Sequence, residues 1–309
     1  MDKVKSILLA IDFRGGSAEA AEAAMHLAAR LGAHVTLLHV ADVVPSSPLM
    51  RHEYQERAAG LLQQVANQLA ARNISATALP IGIGSRAEMI VRTADEAGVD
   101  LILIGAGDLA AGEVFSAGSV AEAVMQHATK PVLAVRPGAV PVRFARILCP
   151  VDHSAVSREG LRTAIGLAGA FGGELVVLSV VPPLSWLDQA AVVPPLKWLA
   201  AESDPGTLAR ATVAHDAEWR AEFSEFLDGV EFGAVRWARE IRKGDPKSEI
   251  IAAAKEHHAD VIVMGATGRG GLRRLMMGSV ARKVLRHLPC ALLTVKGPRV
   301  TESDANPKR

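Results

Sequence analysis

Along the whole chain, short runs of aliphatic and β-branched residues alternate with longer Ala-rich stretches of helical period. In the first part, residues 7–11, 35–40, 101–104 and 132–135 are such runs, each bounded by Gly, Pro or Asp, and predict strands. Residues 17–31 lie between the first two and predict a helix, with Ser17 as its N-cap and Gly32 as its C-terminal stop. The runs are apolar throughout rather than alternating, which implies strands buried on both faces of a parallel sheet. This βα order predicts a doubly wound α/β architecture, in which ligands sit beyond the carboxyl ends of the strands at the switch point.

The pattern then repeats. Ser6-Ile-Leu-Leu-Ala-Ile-Asp12 returns 140 residues later as Arg146-Ile-Leu-Cys-Pro-Val-Asp152, and Leu27-Ala28 through Val40 returns as Leu167-Ala168 through Val180. Later landmarks return at 160: Gly105 with Gly265, and Gly118-Ser119-Val120-Ala121 with Gly278-Ser279-Val280-Ala281. Two tandem copies of one doubly wound α/β domain follow, 1–140 and 141–298, with a disordered tail at 299–309. The change of offset places one insertion in the second copy, at about 182–206, carrying Pro182-Pro183, Pro194-Pro195, Trp186 and Trp198. A loop folded back onto its domain is the expected form, a lid or partner-docking element the alternative. Downstream, Trp219, Phe223, Phe226 and Leu227 follow helical spacing and read as core.

Composition narrows the class of protein. The chain has 309 residues and 32.5 kDa, half of them hydrophobic and 22% charged, with mean hydropathy +0.21, as in a well-packed globular protein. Lys+Arg 34 against Asp+Glu 33 leaves +1, so no global field recruits nucleic acid or anionic lipid. Two cysteines, Cys149 and Cys290, cannot staple such a chain; they read as small buried residues without a disulfide, at the ends of first and fifth strands, in a reduced cytoplasmic compartment. The longest apolar runs, such as 101–104 and 261–264, are far below a membrane span, and residues 7–11 are too short for a signal-peptide core, so a soluble protein with no membrane partner is expected. No histidine pair has metal-ligand spacing, and no metal site is expected.

The most specific feature lies after the fourth predicted strand of the second copy. Val261-Ile-Val-Met264-Gly265-Ala-Thr-Gly268-Arg269 runs on to Gly278-Ser279-Val280, a spacing of Gly, two residues, Gly, nine residues, Gly-Ser. Glycines there let the backbone approach a ligand and expose its N–H groups. Ser279 is read as the cap of a helix to about His287, whose first amides favour a phosphate.

On these residues the chain resembles the universal stress protein family in its tandem two-domain form, over nearly all its length apart from the insertion and tail, which implies in each copy a Rossmann-like five-stranded parallel sheet of order 3-2-1-4-5. The resemblance implies an ATP-binding pattern intact at Gly265, Gly268, Gly278 and Ser279, with Arg269 and Val280 beside it. It also implies an Asp at the end of the first strand and a Val at the end of the second against the adenosine, which match Asp152, preceded by Pro150 and Val151, and Val180; Met264 would neighbour the base. Arg269 is expected to reach phosphate, Arg273 and Arg274 to be solvated or to face a partner, and Lys283 and Arg286 to lie on the outer face of their helix. The function implied is an ATP-binding stress-response protein acting through conformation or partner binding, with Mg²⁺ held by the phosphates and Asp152. Fifth strands 132–135 and 292–295 are expected to pair within the molecule, as a pseudo-dimer, with further homodimerisation open. No phosphate-loop lysine, nucleophile elbow or general base marks a catalytic residue. A slow nucleotide hydrolase, an AMP or cyclic-nucleotide binder and a scaffold without nucleotide are the competing readings.

The first copy serves as an internal control. By the repeat register Gly268 falls on Asp108, Arg269, Arg273 and Arg274 on Leu109, Glu113 and Val114, and Arg282, Lys283 and Arg286 on Glu122, Ala123 and Gln126. Basic positions near a phosphate become neutral or acidic, so the first copy is expected to keep the fold and Asp12 but to hold no triphosphate.

Overall fold

A computed structural model describes residues 4–13, 16–42, 46–107, 118–138, 142–183, 205–269 and 277–297. The first half runs β1 (Ser6–Ala10), α1 (Ser17–Leu31), β2 (His34–Leu38), β3 (Val40–Ala41), α2 (Pro48–Ala70), β4 (Ala76–Ala78), β5 (Gly82–Ile83), α3 (Arg86–Glu96), β6 (Leu101–Gly105), α4 (Ser119–His127) and β7 (Val132–Val135). The second runs β8 (Arg146–Val151), α5 (Ala155–Phe171), β9 (Glu174–Val181), α6 (Pro205–Leu227), β10 (Arg236–Lys243), α7 (Pro246–Glu256), β11 (Val261–Gly265), α8 (Ser279–His287) and β12 (Ala291–Val295).

The strands form one sheet of order β10-β9-β8-β11-β12-β7-β6-β1-β2-β4, so each half has the expected order 3-2-1-4-5. Pairing is parallel within each half, and the fifth strands join antiparallel, Leu293 opposite Leu133. That junction satisfies the edge of each fifth strand inside one chain. A small parallel pair, β3 with β5, stands apart from the large sheet.

Apolar side chains on both faces of the strands explain the layering. Ile7, Leu9, Ile147, Cys149, Val261 and Val263 point to the face covered by α1, α2, α5 and α6. Leu8, Leu148, Ile262 and Met264 point to the other, under α3, α4, α7 and α8. Trp219, Phe223 and Phe226 of α6 are buried, while Leu227 is only partly covered. Cys149 lies within β8 rather than at its end, and Cys290 just precedes β12; both are free and buried. Burial pushes both thiols up, Cys290 to about 12, which keeps them protonated and unreactive.

Two helix starts differ from expectation. Gly16, at φ 87°, is the N-cap of α1, and Ser17 is the first helical residue. The βα turn needs a left-handed residue that glycine adopts without strain, which frees the Ser17 hydroxyl to donate to Asp12 Oδ1 at 2.5 Å. Likewise Gly278 caps α8, and Ser279 is its first residue. In the second half the true serine cap is Ser154, whose Oγ accepts from the Ser157 N–H at 3.1 Å.

Arg282 and Arg286 of α8 both lie against Glu122 of α4, at 3.0 and 3.3 Å, and neutralise an acid of the other half. Among the described residues no helix is long and apolar enough to cross a membrane. Most of the insertion with Trp186 and Trp198, the tail 299–309, and Asp108, Leu109, Glu113, Val114, Arg273 and Arg274 lie outside the described residues.

Candidate functional site

The second-half crevice is built at the carboxyl ends of β8, β9 and β11. Pro150 and Val151 close β8, buried, and Asp152 follows, partly exposed. Val180 near the end of β9 and Met264 near the end of β11 share the apolar cluster on the α7 and α8 face. A Cβ on Gly265 would lie 3.0 Å from Val156 Cγ1 and 3.1 Å from the Thr267 carbonyl, so α5 packs flush on the strand end. Gly105 does the same in the first half, 3.0 Å from the Gly16 backbone, which makes this glycine a packing requirement common to both. Gly268 is different. Its Cβ would lie 2.6 Å from Asp152 Oδ2, so a bare backbone must pass the carboxylate there. Gly278 donates its N–H to the Ala266 carbonyl at 2.8 Å and lies beside Gly268, which brings the two ends of the loop together. Ser279 and Val280 open α8, where the first-turn N–H groups have no helical acceptor.

Asp152 is fully engaged. Its Oδ1 accepts from the Ser154 N–H at 3.1 Å and hydroxyl at 2.6 Å, and its Oδ2 from the Arg269 N–H at 2.9 Å. The Arg269 side chain crosses the strand end toward α6 rather than following the loop. Its Nε donates to the Asp152 carbonyl, its Nη2 donates to Glu222, and the same Nη2 is 2.6 Å from His153 Nδ1. Its guanidinium carbon stands 4.5 Å from the Trp219 ring centroid.

Because a guanidinium only donates, His153 Nδ1 accepts, and the ring is the neutral Nε2–H tautomer. Nε2 then donates to Ser179 Oγ at 3.0 Å, which also accepts the Trp219 indole N–H at 2.9 Å. Burial holds His153 below the usual histidine range, and the Arg269 hydrogen bond holds Glu222 below the usual carboxylate range. Sequence reasoning missed His153, Ser179 and Glu222, and read Trp219 as core alone. The one available signal was the histidine directly after Asp152.

The first-turn amides of α8 and the bare backbone at Gly268 lie at the strand ends above the buried Val180 and Met264, and a helix N-terminus favours an anion. A model of the universal stress protein family matches the chain twice, over residues 3–136 and 143–296. The chain belongs to the universal stress protein family. A universal stress protein of Methanocaldococcus jannaschii is 32% identical over 156 residues, 50% of this chain and 84% of that one. One from Mycolicibacterium smegmatis is 26% identical over 302 residues, 94% of this chain and 96% of its own. The crystal structure of a universal stress protein from Archaeoglobus fulgidus superposes with a TM-score of 0.68 at 20% identity, covering 96% of this chain and all of that one, and shares the fold.

In this universal stress protein the first-half crevice holds a cavity of about 200 Å³, which the sequence did not announce. Asp12, Val40, Arg86, Ile104, Gly105 and Ser119 are among its walls. Arg86 pairs with Asp42 at 2.7 Å, and its Nε is buried without a partner. The volume is below the ~300–1,000 Å³ of pockets that enclose drug-sized ligands. Among the described residues no cluster of three or more His, Cys, Asp or Glu is arranged to hold a metal ion.

Proposed function

We propose that this universal stress protein binds an adenine nucleotide, ATP, in the crevice of its second half, and acts in the stress response through nucleotide-dependent conformation or partner contacts. The observation that carries the reading is Gly268. The bare backbone it supplies beside Asp152 is the one element of the pattern that packing common to both halves does not require, and the first half has Asp108 in its place.

In this reading Pro150, Val151, Asp152 and Val180 face the adenosine, and Met264 lies beside the base. Gly265 ends the strand below the loop, Arg269 and Gly278 hold the loop through their N–H bonds to Asp152 and Ala266, and the backbone at Gly268 with the first-turn N–H groups of Ser279 and Val280 meets the phosphates. Three hydrogen bonds already occupy Asp152, so Mg²⁺ belongs with the phosphates rather than on its carboxylate. Two buried free thiols suit a cytoplasmic protein, and any homodimer must use surfaces other than the paired fifth strands.

Calorimetric titration of ATP into nucleotide-stripped protein and into Gly268→Asp tests this. One site per chain is expected. The new carboxylate, a few ångström from both Asp152 and the phosphates, should weaken it by about 1–4 kcal/mol, fivefold or more. Absence of binding to the wild type overturns the assignment. Two sites would show that the first-half cavity takes nucleotide as well.

A further inference from the structure

We infer that Glu222 and Arg269 form an anion-released latch between the second-half crevice and α6, in which a phosphate-bearing ligand and the Glu222 carboxylate compete for one guanidinium. This rests on the nucleotide reading above and adds an affinity-setting residue, Glu222, that lies outside the glycine pattern.

The main chain of Arg269 is fixed at the crevice, its N–H on Asp152 directly after Gly268, while its side chain is spent on α6. A residue of the loop that would cradle phosphate therefore gives its charge to a carboxylate on another element. The pair is open to exchange: the side chains of Arg269 and Glu222 are 41% and 38% exposed. At such exposure water screens an ion pair, which then adds little to stability. A nucleotide phosphate brings more negative charge than the single Glu222 carboxylate, which Arg269 meets through one nitrogen only, and offers the guanidinium a bidentate partner. The ligand therefore wins the guanidinium, and Glu222 only taxes its affinity.

Release has defined consequences for α6. Trp219 loses the cation held 4.5 Å from its ring while its indole N–H stays on Ser179 of β9. Glu222 loses its strongest partner and retains His153, whose Nδ1 is 3.3 Å away and is freed to carry a proton toward it. Helix α6 thus has two arrangements of the same side chains, one with Arg269 and one without. It is also the helix that follows the insertion peculiar to the second half. The first half has Phe13 at the position of His153 and Leu109 at that of Arg269, so the device belongs to one half only.

The test uses the full chain, with ATP as probe, and reads both Trp219 emission and affinity. ATP should change the emission of the wild type, and the change should vanish in Trp219→Phe, which keeps the other three tryptophans. Glu222→Gln should tighten ATP binding by about two- to fivefold, the fold-change equivalent of an exposed pair. In an Arg269→Gln background the same Glu222→Gln change should leave affinity unmoved, because the competition needs the guanidinium. A role in structure alone would lower the urea midpoint of Glu222→Gln without this dependence on Arg269. ATP that binds the wild type while Glu222→Gln leaves its affinity unchanged, or while Trp219 emission stays constant, overturns the latch alone. Calorimetry that finds no ATP binding overturns the nucleotide reading and the latch together.

Discussion

The two crevices of this universal stress protein start from the same frame and end differently. Each first strand is followed by an aspartate that accepts a serine hydroxyl, Asp12 from Ser17 at 2.5 Å and Asp152 from Ser154 at 2.6 Å. Each aspartate is followed by a residue in the left-handed region, Phe13 at φ 58° and His153 at φ 65°. Above that frame the halves part. Phe13 packs 4.8 Å from His39, which donates from Nδ1 to the Ile11 carbonyl at 2.7 Å and accepts from the Tyr54 hydroxyl at 2.8 Å. His153 instead accepts directly from an arginine of the glycine loop, which also donates to Glu222. The backbone is common to both halves, and the side chains at and beyond the strand end decide what each can bind.

The largest effect should come from the glycine that both halves share. In Gly105→Ala the new Cβ meets backbone of Gly16 at 3.0 Å, which cannot yield, and overpacking should cost about 2–3 kcal/mol. In Gly265→Ala the Val156 methyl at 3.0 Å can turn away and the Thr267 carbonyl at 3.1 Å need give only a few tenths of an ångström, so the cost should be about 1–2 kcal/mol. Urea midpoints at constant m measure both. Equal, negligible losses would remove packing as the reason for the repeated glycine and would return Gly265 to the ligand.

Much of this was legible in sequence because it repeats. Apolar runs at two constant offsets are enough to place four strands per half and the tandem repeat; the third strand, the strand order and the pairing of the fifth strands came from the family resemblance. The Arg269 contact has no such period, since Glu222 lies on α6, beyond the insertion, where the register between halves is lost. The serine at the start of α1 misled because serine caps helices in general, whereas this turn first needs the positive φ of Gly16. The first-half cavity was invisible for a different reason: counting acids against bases says what a triphosphate would meet, not whether space remains.

A smaller effect separates the halves electrostatically. Glu122→Arg would set a third guanidinium against Arg282 and Arg286, where the wild type has two ion pairs. The loss should be about 1 kcal/mol at low salt and shrink at high salt, as screening weakens partly exposed pairs. A loss independent of salt would point to side-chain packing at the α4–α8 contact instead.

The subtlest difference is one of pH, and it turns on the residue after each aspartate. Burial disfavours the charged form of His153, and so does the charge of Arg269, while Glu222 and Asp152 act in the opposite sense. The net shift is downward, so the unfolded chain binds its proton first, near pH 6.5. Stability linked to His153 is therefore complete above that pH and declines as pH falls toward the lower folded value, below which the loss is complete. Glu222 acts later, since its depressed carboxyl contributes above the ordinary glutamate range near pH 4.3 and loses that contribution only as pH falls below it. His153→Phe copies the first half into the second, and Phe13 shows that the side chain fits this backbone conformation. Urea unfolding across pH 7.5 to about 5 should show a shallower decline in the variant, whatever its offset in absolute stability. Parallel curves would mean that His153 titrates alike folded and unfolded, and that the polar chain from Ser179 to Arg269 does not depend on its neutral ring.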